Sequence, residues 1–306
     1  MKPIILFSGL RKRKMVLVPL GLLALVLVVF LSRSPALILS DAGFDALYGP
    51  RRTWFRQAGL SLRLFRQVKR VIVAEDANPE AAVFAIEGKS AKPWTVLGHS
   101  RYRQGLERYS RQYPDIRVLL IRDDTPSLSA ETGPESILAD TRLNSWRAGR
   151  CAAILAGGEG GRILVFQDGR DFPVNREAFL AGVREENDVL VPLYLNSSAD
   201  YSSWNDVRCV VLGGPGDPYF NREGGIPAIL FTWMDPALSP YSVKIIGDDS
   251  PWALAPEVFR SSGADSGGYR SVPAEFTVLR RRVGDGELAK RLKKVVHLQI
   301  PASLVQ

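Results

Sequence analysis

Only two cysteines, Cys151 and Cys209, and two histidines, His99 and His297, occur in 306 residues. That scarcity excludes a disulfide-stapled scaffold, a multi-cysteine zinc module and a histidine-rich metal cage, so neither a metal nor another cofactor is expected. Acid is missing altogether before Asp41, whereas Lys2 and Arg11, Lys12, Arg13 and Lys14 are basic. The formal charge of +8 is therefore lopsided, because beyond residue 32 the chain carries 35 basic against 32 acidic residues. Such a balance does not point to nucleic acid, whatever the overall pI suggests. What the chain does have is apolar material: 46% of its residues are hydrophobic and 24% charged, enough for one two-lobed domain or two ordinary ones.

Met15 to Leu31 (MVLVPLGLLALVLVVFL) contains no charged residue and reads as a short membrane-spanning helix. With the basic block before it and only Arg33 close behind, the positive-inside rule puts residues 1–14 in the cytoplasm. The expectation is a signal-anchor over 15–32 that crosses the lipid bilayer of a bacterial cytoplasmic membrane once, with the rest of the chain extracytoplasmic. The rival is a cleaved signal peptide, for which Ser34-Pro35-Ala36 offers small residues.

From Pro35 onward short apolar runs alternate with amphipathic ones, which predicts an α/β protein of parallel sheets wrapped by helices. Strands are expected at Ala36–Leu39, Val68–Ala74, Trp94–Leu97, Ile116–Ile121, Arg162–Phe166, Val189–Tyr194, Val207–Leu212, Pro227–Thr232 and Val243–Ile246. The Pro-, Ser- and acid-rich stretch Asp123–Asp140 separates two such blocks. It suggests a first lobe of 36–125 plus parts of 245–306, a crossover over 126–145 and a second lobe of 146–244, with no internal repeat.

Nearly every expected strand ends in a polar or glycine-bearing turn, and in open α/β sheets ligands bind beyond the carboxyl ends of the strands. The candidate ligand-binding residues are therefore Asp41, Phe44 and Asp45 after the first strand, His99 after the third, and Asp168, Arg170 and Asp171 at the head of the second lobe. Gly213 and Asp248 complete the set. Carboxylates accept charge-assisted hydrogen bonds from hydroxyls, an aromatic face covers a planar ring, and an arginine holds a carboxylate or phosphate. Strand-ending turns, surface ion pairs and helix capping account for the same residues without a ligand. No catalytic residue is assigned: Ser100 beside His99 sits in no nucleophile-elbow pattern. Leu155–Arg162 (LAGGEGGR) is similar to the glycine-rich motif of sugar nucleotidyltransferases, but it ends a helix rather than following the first strand, so C-capping by Gly157 and Gly158 explains it.

Leu143–Glu185 (LNSWRAGRCAAILAGGEGGRILVFQDGRDFPVNREAFLAGVRE) resembles the middle of the basic membrane protein family, extracytoplasmic solute-binding proteins that include purine nucleoside receptors. Ala36–Phe44 (ALILSDAGF) looks like that family's first strand and ligand loop, and Lys244–Asp249 (KIIGDD) like the strand that returns toward the first lobe. The resemblance implies a type I periplasmic-binding-protein fold, two doubly wound lobes closing on a small polar solute that is nucleoside- or sugar-like, for uptake with an ABC-type permease or for sensing. Where the family carries Ser-Phe-Asn, this chain reads Asp45-Ala46-Leu47-Tyr48. That keeps open a ligand-free structural or partner-binding domain on the same fold.

Overall fold

The computed structural model describes residues 24–40, 50–73, 78–99, 102–122, 134–158, 160–166, 175–195, 205–212, 225–231, 243–248, 251–260, 270–299 and 301. In chain order they form β1 (Ala36–Ser40), α1 (Pro50–Leu64), β2 (Val68–Ile72), α2 (Pro79–Lys89), β3 (Thr95–His99), α3 (Arg103–Gln112), β4 (Arg117–Arg122) and β5 (Glu135–Ala139). Then come α4 (Thr141–Ala156), β6 (Gly161–Phe166), α5 (Arg176–Glu186), β7 (Leu190–Leu195), β8 (Val207–Leu212), β9 (Ala228–Phe231) and β10 (Val243–Asp248). The chain closes with α6 (Pro251–Arg260), β11 (Arg270–Val272), β12 (Glu275–Val278), α7 (Arg280–Val283) and α8 (Gly286–Val295).

The strands make two six-stranded sheets, ordered β11-β5-β4-β3-β1-β2 and β12-β10-β9-β8-β6-β7. All pairings are parallel except β10 with β12. Central strands are apolar on both faces because helices cover both: all five residues of β1 are buried. On one face of the first sheet Ala36, Ile38 and Leu97 pack with Leu60 of α1 and Trp252, Leu254 and Val258 of α6. On the other, Leu37, Leu39 and Val96 meet Val83 and Ile86 of α2 and Leu106 and Tyr109 of α3.

The helices start where short polar side chains can take up free backbone donors. Asn78 accepts from Ala81 N at 2.8 Å, with Pro79 in the first turn, and Asn175 accepts from Ala178 N at 2.9 Å. α4 is buried nearly all round, because it lies between the second sheet, α5 and α8. Its approach to α5 is backbone to backbone: a Cβ on Gly149 would stand 2.1 Å from Phe179 O, and one on Gly182 2.2 Å from Trp146 O. Gly157, at φ +85°, then stops α4 in the left-handed region, as expected for a C-capping glycine.

The chain passes between sheets three times: from β5 into α4, from β10 into α6, and from β11 into β12. The first sheet thus includes β5, inside the 126–145 stretch that the sequence marks as a crossover, while β10, β12 and α8 belong with the second sheet and its core. Of the apolar run over 15–32, only the end is described, as a helix over 24–32. Among the described residues no helix is long and apolar enough to cross a membrane.

Candidate functional site

In parallel sheets every strand delivers its carboxyl end to one edge, so the edge of each lobe is built from the last residue of each strand. In the first lobe β1, between β3 and the outer strand β2, brings Ser40 to that edge. Ile38 is level with Leu97 in the β1–β3 register, which, carried two residues further, sets Ser40 level with His99. Both share the sheet face of Ile38 and Leu97 by alternation. His99 is half-buried there. Ser40 is buried, and among the described residues its Oγ has no hydrogen-bond partner. A hydroxyl in that position costs about 1–3 kcal/mol unless something satisfies it, so Ser40 joins the candidates. The sequence offered no cue for it beyond a place in a strand-ending turn.

Asp248 ends β10 in the second sheet. It is buried, and its Oδ2 lies 2.6 Å from Nη2 of Arg56, on α1 of the first lobe. A carboxylate withdrawn from water needs such a partner, and here the pair ties the lobes beside the β10–α6 passage. Glu275 of β12 is Asp248's neighbour across the strands. Asp41, Phe44, Asp45, Asp168, Arg170, Asp171 and Gly213 lie outside the described residues.

The two other passages between lobes are bonded to one another. Asp140 N donates to Val272 O at 2.8 Å, and Ala274 N donates to Oδ1 of the buried Asn144 at 2.9 Å. Asp140 also caps α4, its Oδ1 accepting from Leu143 N at 2.9 Å. One turn on, Arg147 is buried and donates from Nε to Leu298 O at 2.8 Å. Burial pushes its guanidinium below the ordinary arginine value, against the opposing pull of the Asp140 carboxylate. The β5–α4 and β11–β12 passages are thus joined to one another by hydrogen bonds.

Beside it is a cavity of about 220 Å³ lined by Arg56, Leu60, Arg63, Trp252, Pro256 and Glu275. A larger groove, about 560 Å³, runs along the outer edge of the second lobe between α5 and β7, past Arg176, Leu180 and Tyr194, and holds none of the candidate residues. Among the described residues no group of three metal-ligating side chains occurs. Both cysteines are free and buried in the second-lobe core, where burial pushes their thiols well above the ordinary value.

The sequence matches no protein-family model. Comparison with curated proteins yields no match either. Solved structures do share the architecture. An ABC transporter solute-binding protein from Conexibacter woesei superposes with a TM-score of 0.54 at 16% identity over 88% of this chain and 99% of its own. A periplasmic solute-binding protein of an Actinobacillus succinogenes ABC transporter, with D-allose bound, gives 0.54 at 7% identity over 83% and 100%. A transcriptional activator of the comK gene from Bacillus halodurans gives 0.57 at 12% identity over 88% and 100%. At such identities the likeness shows the fold: the chain has the α/β architecture of periplasmic-type solute-binding proteins.

Proposed function

We propose that the chain is a membrane-tethered extracytoplasmic binding protein that holds a small polar solute reversibly between its lobes, for uptake or sensing, without covalent chemistry. The observation that carries this reading is the buried hydroxyl of Ser40, without a hydrogen-bond partner among the described residues, beside His99 at the carboxyl edge of the first sheet. A solute hydroxyl entering the cleft satisfies it, and a donor or acceptor so satisfied discriminates for hydroxyl-rich ligands. The likeness to a D-allose-bound protein supports a sugar-like solute, and a nucleoside offers the same hydroxyls on its ribose. In this reading Asp41, Phe44, Asp45, His99, Asp168, Arg170, Asp171, Gly213 and Asp248 line the cleft. Residues 15–32 anchor the protein in the bilayer with 1–14 in the cytoplasm, an ABC-type permease receives the solute, and the chain is a divergent member of the basic membrane protein family.

Thermal unfolding of the full chain against a panel of pentoses, hexoses and nucleosides tests the proposal. A solute present at 100 times its Kd stabilises the folded state by about 2.7 kcal/mol. At least one member of the panel should raise Tm by several degrees, and Ser40→Ala should weaken that solute at least about tenfold. A flat response across the panel from a cooperatively folded protein would remove the reading. The Bacillus halodurans neighbour, described as an activator of comK transcription, favours a second one, in which the same fold serves a macromolecular partner.

A further inference from the structure

Seven basic residues and no acid lie between Pro50 and Ile72: Arg51, Arg52, Arg56, Arg63, Arg66, Lys69 and Arg70. Without them the chain beyond residue 32 has fewer basic than acidic residues, so α1 and β2 carry one of the domain's two basic clusters, the other being Arg280–Lys294 on α7 and α8. This segment also exposes the wrong side chains for a solvated helix. Trp54 is 62% exposed, Phe55 68% and Leu62 75%. At about 100° per residue these three and Ala58 fall on one side of α1, opposite Leu60 and Leu64, which face the core.

The patch does not stand alone. α1 ends at Phe65, which takes φ 47°, and the Phe65 ring meets Phe30 of the 24–32 helix edge-on with centroids 5.9 Å apart. Arg33 lies 5.2 Å over the same ring. Arg66 stacks 4.3 Å over Trp94 and donates to Ser34 O, fastening the N-terminal segment to the end of α1. That segment exposes Leu25, Leu27, Val28 and Leu31 in turn. Two apolar surfaces, joined through Phe30 and Phe65, are therefore continuous.

We infer that the outer face of α1 lies on an anionic bilayer. Tryptophan, phenylalanine and leucine on one side of a helix, with the exposed Arg63 on its flank, are the composition of an interfacial helix: the rings enter the headgroup–acyl boundary while the guanidinium meets a lipid phosphate. α1 spans about 22 Å, long enough to hold the domain in a fixed orientation. The inference goes beyond solute binding and does not depend on it.

The test uses the full chain in nanodiscs of phosphatidylcholine, with or without about 30% phosphatidylglycerol. A nitroxide at Ala58→Cys labels selectively, because both native thiols are buried. In anionic discs it should be open to oxygen and shielded from an aqueous nickel chelate, with the shielding lost at high salt and in Trp54→Ser/Phe55→Ser/Leu62→Ser. A label at Phe84→Cys on α2, where the native side chain is 77% exposed, should stay aqueous throughout. An aqueous label at position 58 in anionic discs, or equal shielding without phosphatidylglycerol, would overturn the inference. A label at Leu27→Cys reports the apolar run separately, so a failed anchor and a failed α1 face give different patterns.

Discussion

Gly182→Ala adds one methyl group where α4 and α5 touch. The new Cβ would stand 2.2 Å from Trp146 O, 3.0 Å from Trp146 C and 3.1 Å from Arg150 N. All three are backbone atoms, so no side chain can swing away, and the helices must part by roughly 1 Å to restore van der Waals distance. Parting loosens packing that includes the Trp146 Nε1 to Glu185 bond at 2.9 Å and the Arg150–Glu186 ion pair. Overpacking of this kind costs about 1–3 kcal/mol, and backbone contacts place it at the upper end. Alanine returns up to about 1 kcal/mol of helix propensity, leaving a net loss of about 2 kcal/mol. At about 2–4 °C per kcal/mol the melting temperature should fall by roughly 4–8 °C. Circular dichroism of the full chain measures it. Gly88→Ala on α2, where nothing lies within 4 Å of the added Cβ, should stabilise by about 0.5–1 kcal/mol. If Gly182→Ala behaves like Gly88→Ala, the close crossing of α4 and α5 is refuted.

Asn144→Ala strands the buried Ala274 N–H between the sheets and should lower the urea-unfolding free energy by about 1–3 kcal/mol; an unchanged midpoint would mean that bond is not made. Asp248→Ala leaves Arg56 facing a buried site and should cost about 1–3 kcal/mol, less than for a fully buried pair because Arg56 is 22% exposed. Arg56→Met with Asp248→Leu should recover most of it in a double-mutant cycle. Neither thiol should react with Ellman's reagent in the native protein, and both should react in denaturant, since Cys151 and Cys209 are buried. Tyr109 and Tyr194 are pushed up to about 12, chiefly by burial. Raised folded-state values mean that stability is kept below pH 10 and falls as pH climbs from 10 toward 12; a chemical-denaturation series flat across that window would contradict the burial of both phenols.

The strands that pack helices on both faces were legible as apolar runs. β1, β6, β8 and β10 stand within two residues of where the sequence sets them, because a buried parallel strand has no polar face to confuse its limits. β5 was not legible: Glu135–Ala139 is five residues long inside a Pro- and Ser-rich stretch, and it is a strand because β4 and the distant β11 flank it. β11 has three residues and no periodicity at all. At the candidate site, the rule that ligands gather at strand ends pointed to His99 and Asp248, and both do end strands. It could not foresee that Asp248 faces Arg56, since that contact joins positions far apart in the chain. Nor could it single out Ser40, whose interest lies in having no hydrogen-bond partner among the described residues. The basic, aromatic face of α1 was readable in principle, but in the sequence it merges with the other amphipathic runs between strands.

Native mass spectrometry of the full chain, released from detergent and mixed with pooled pentoses, hexoses and nucleosides, bears most directly on the claim that the lobes hold a small polar solute. The account predicts a one-to-one adduct with a single member of the pool, retained in Phe84→Ser and lost in Ser40→Ala while the charge-state distribution of the folded protein is unchanged. Folded protein that carries no adduct at any concentration of the pool, or an adduct indifferent to Ser40, would contradict it.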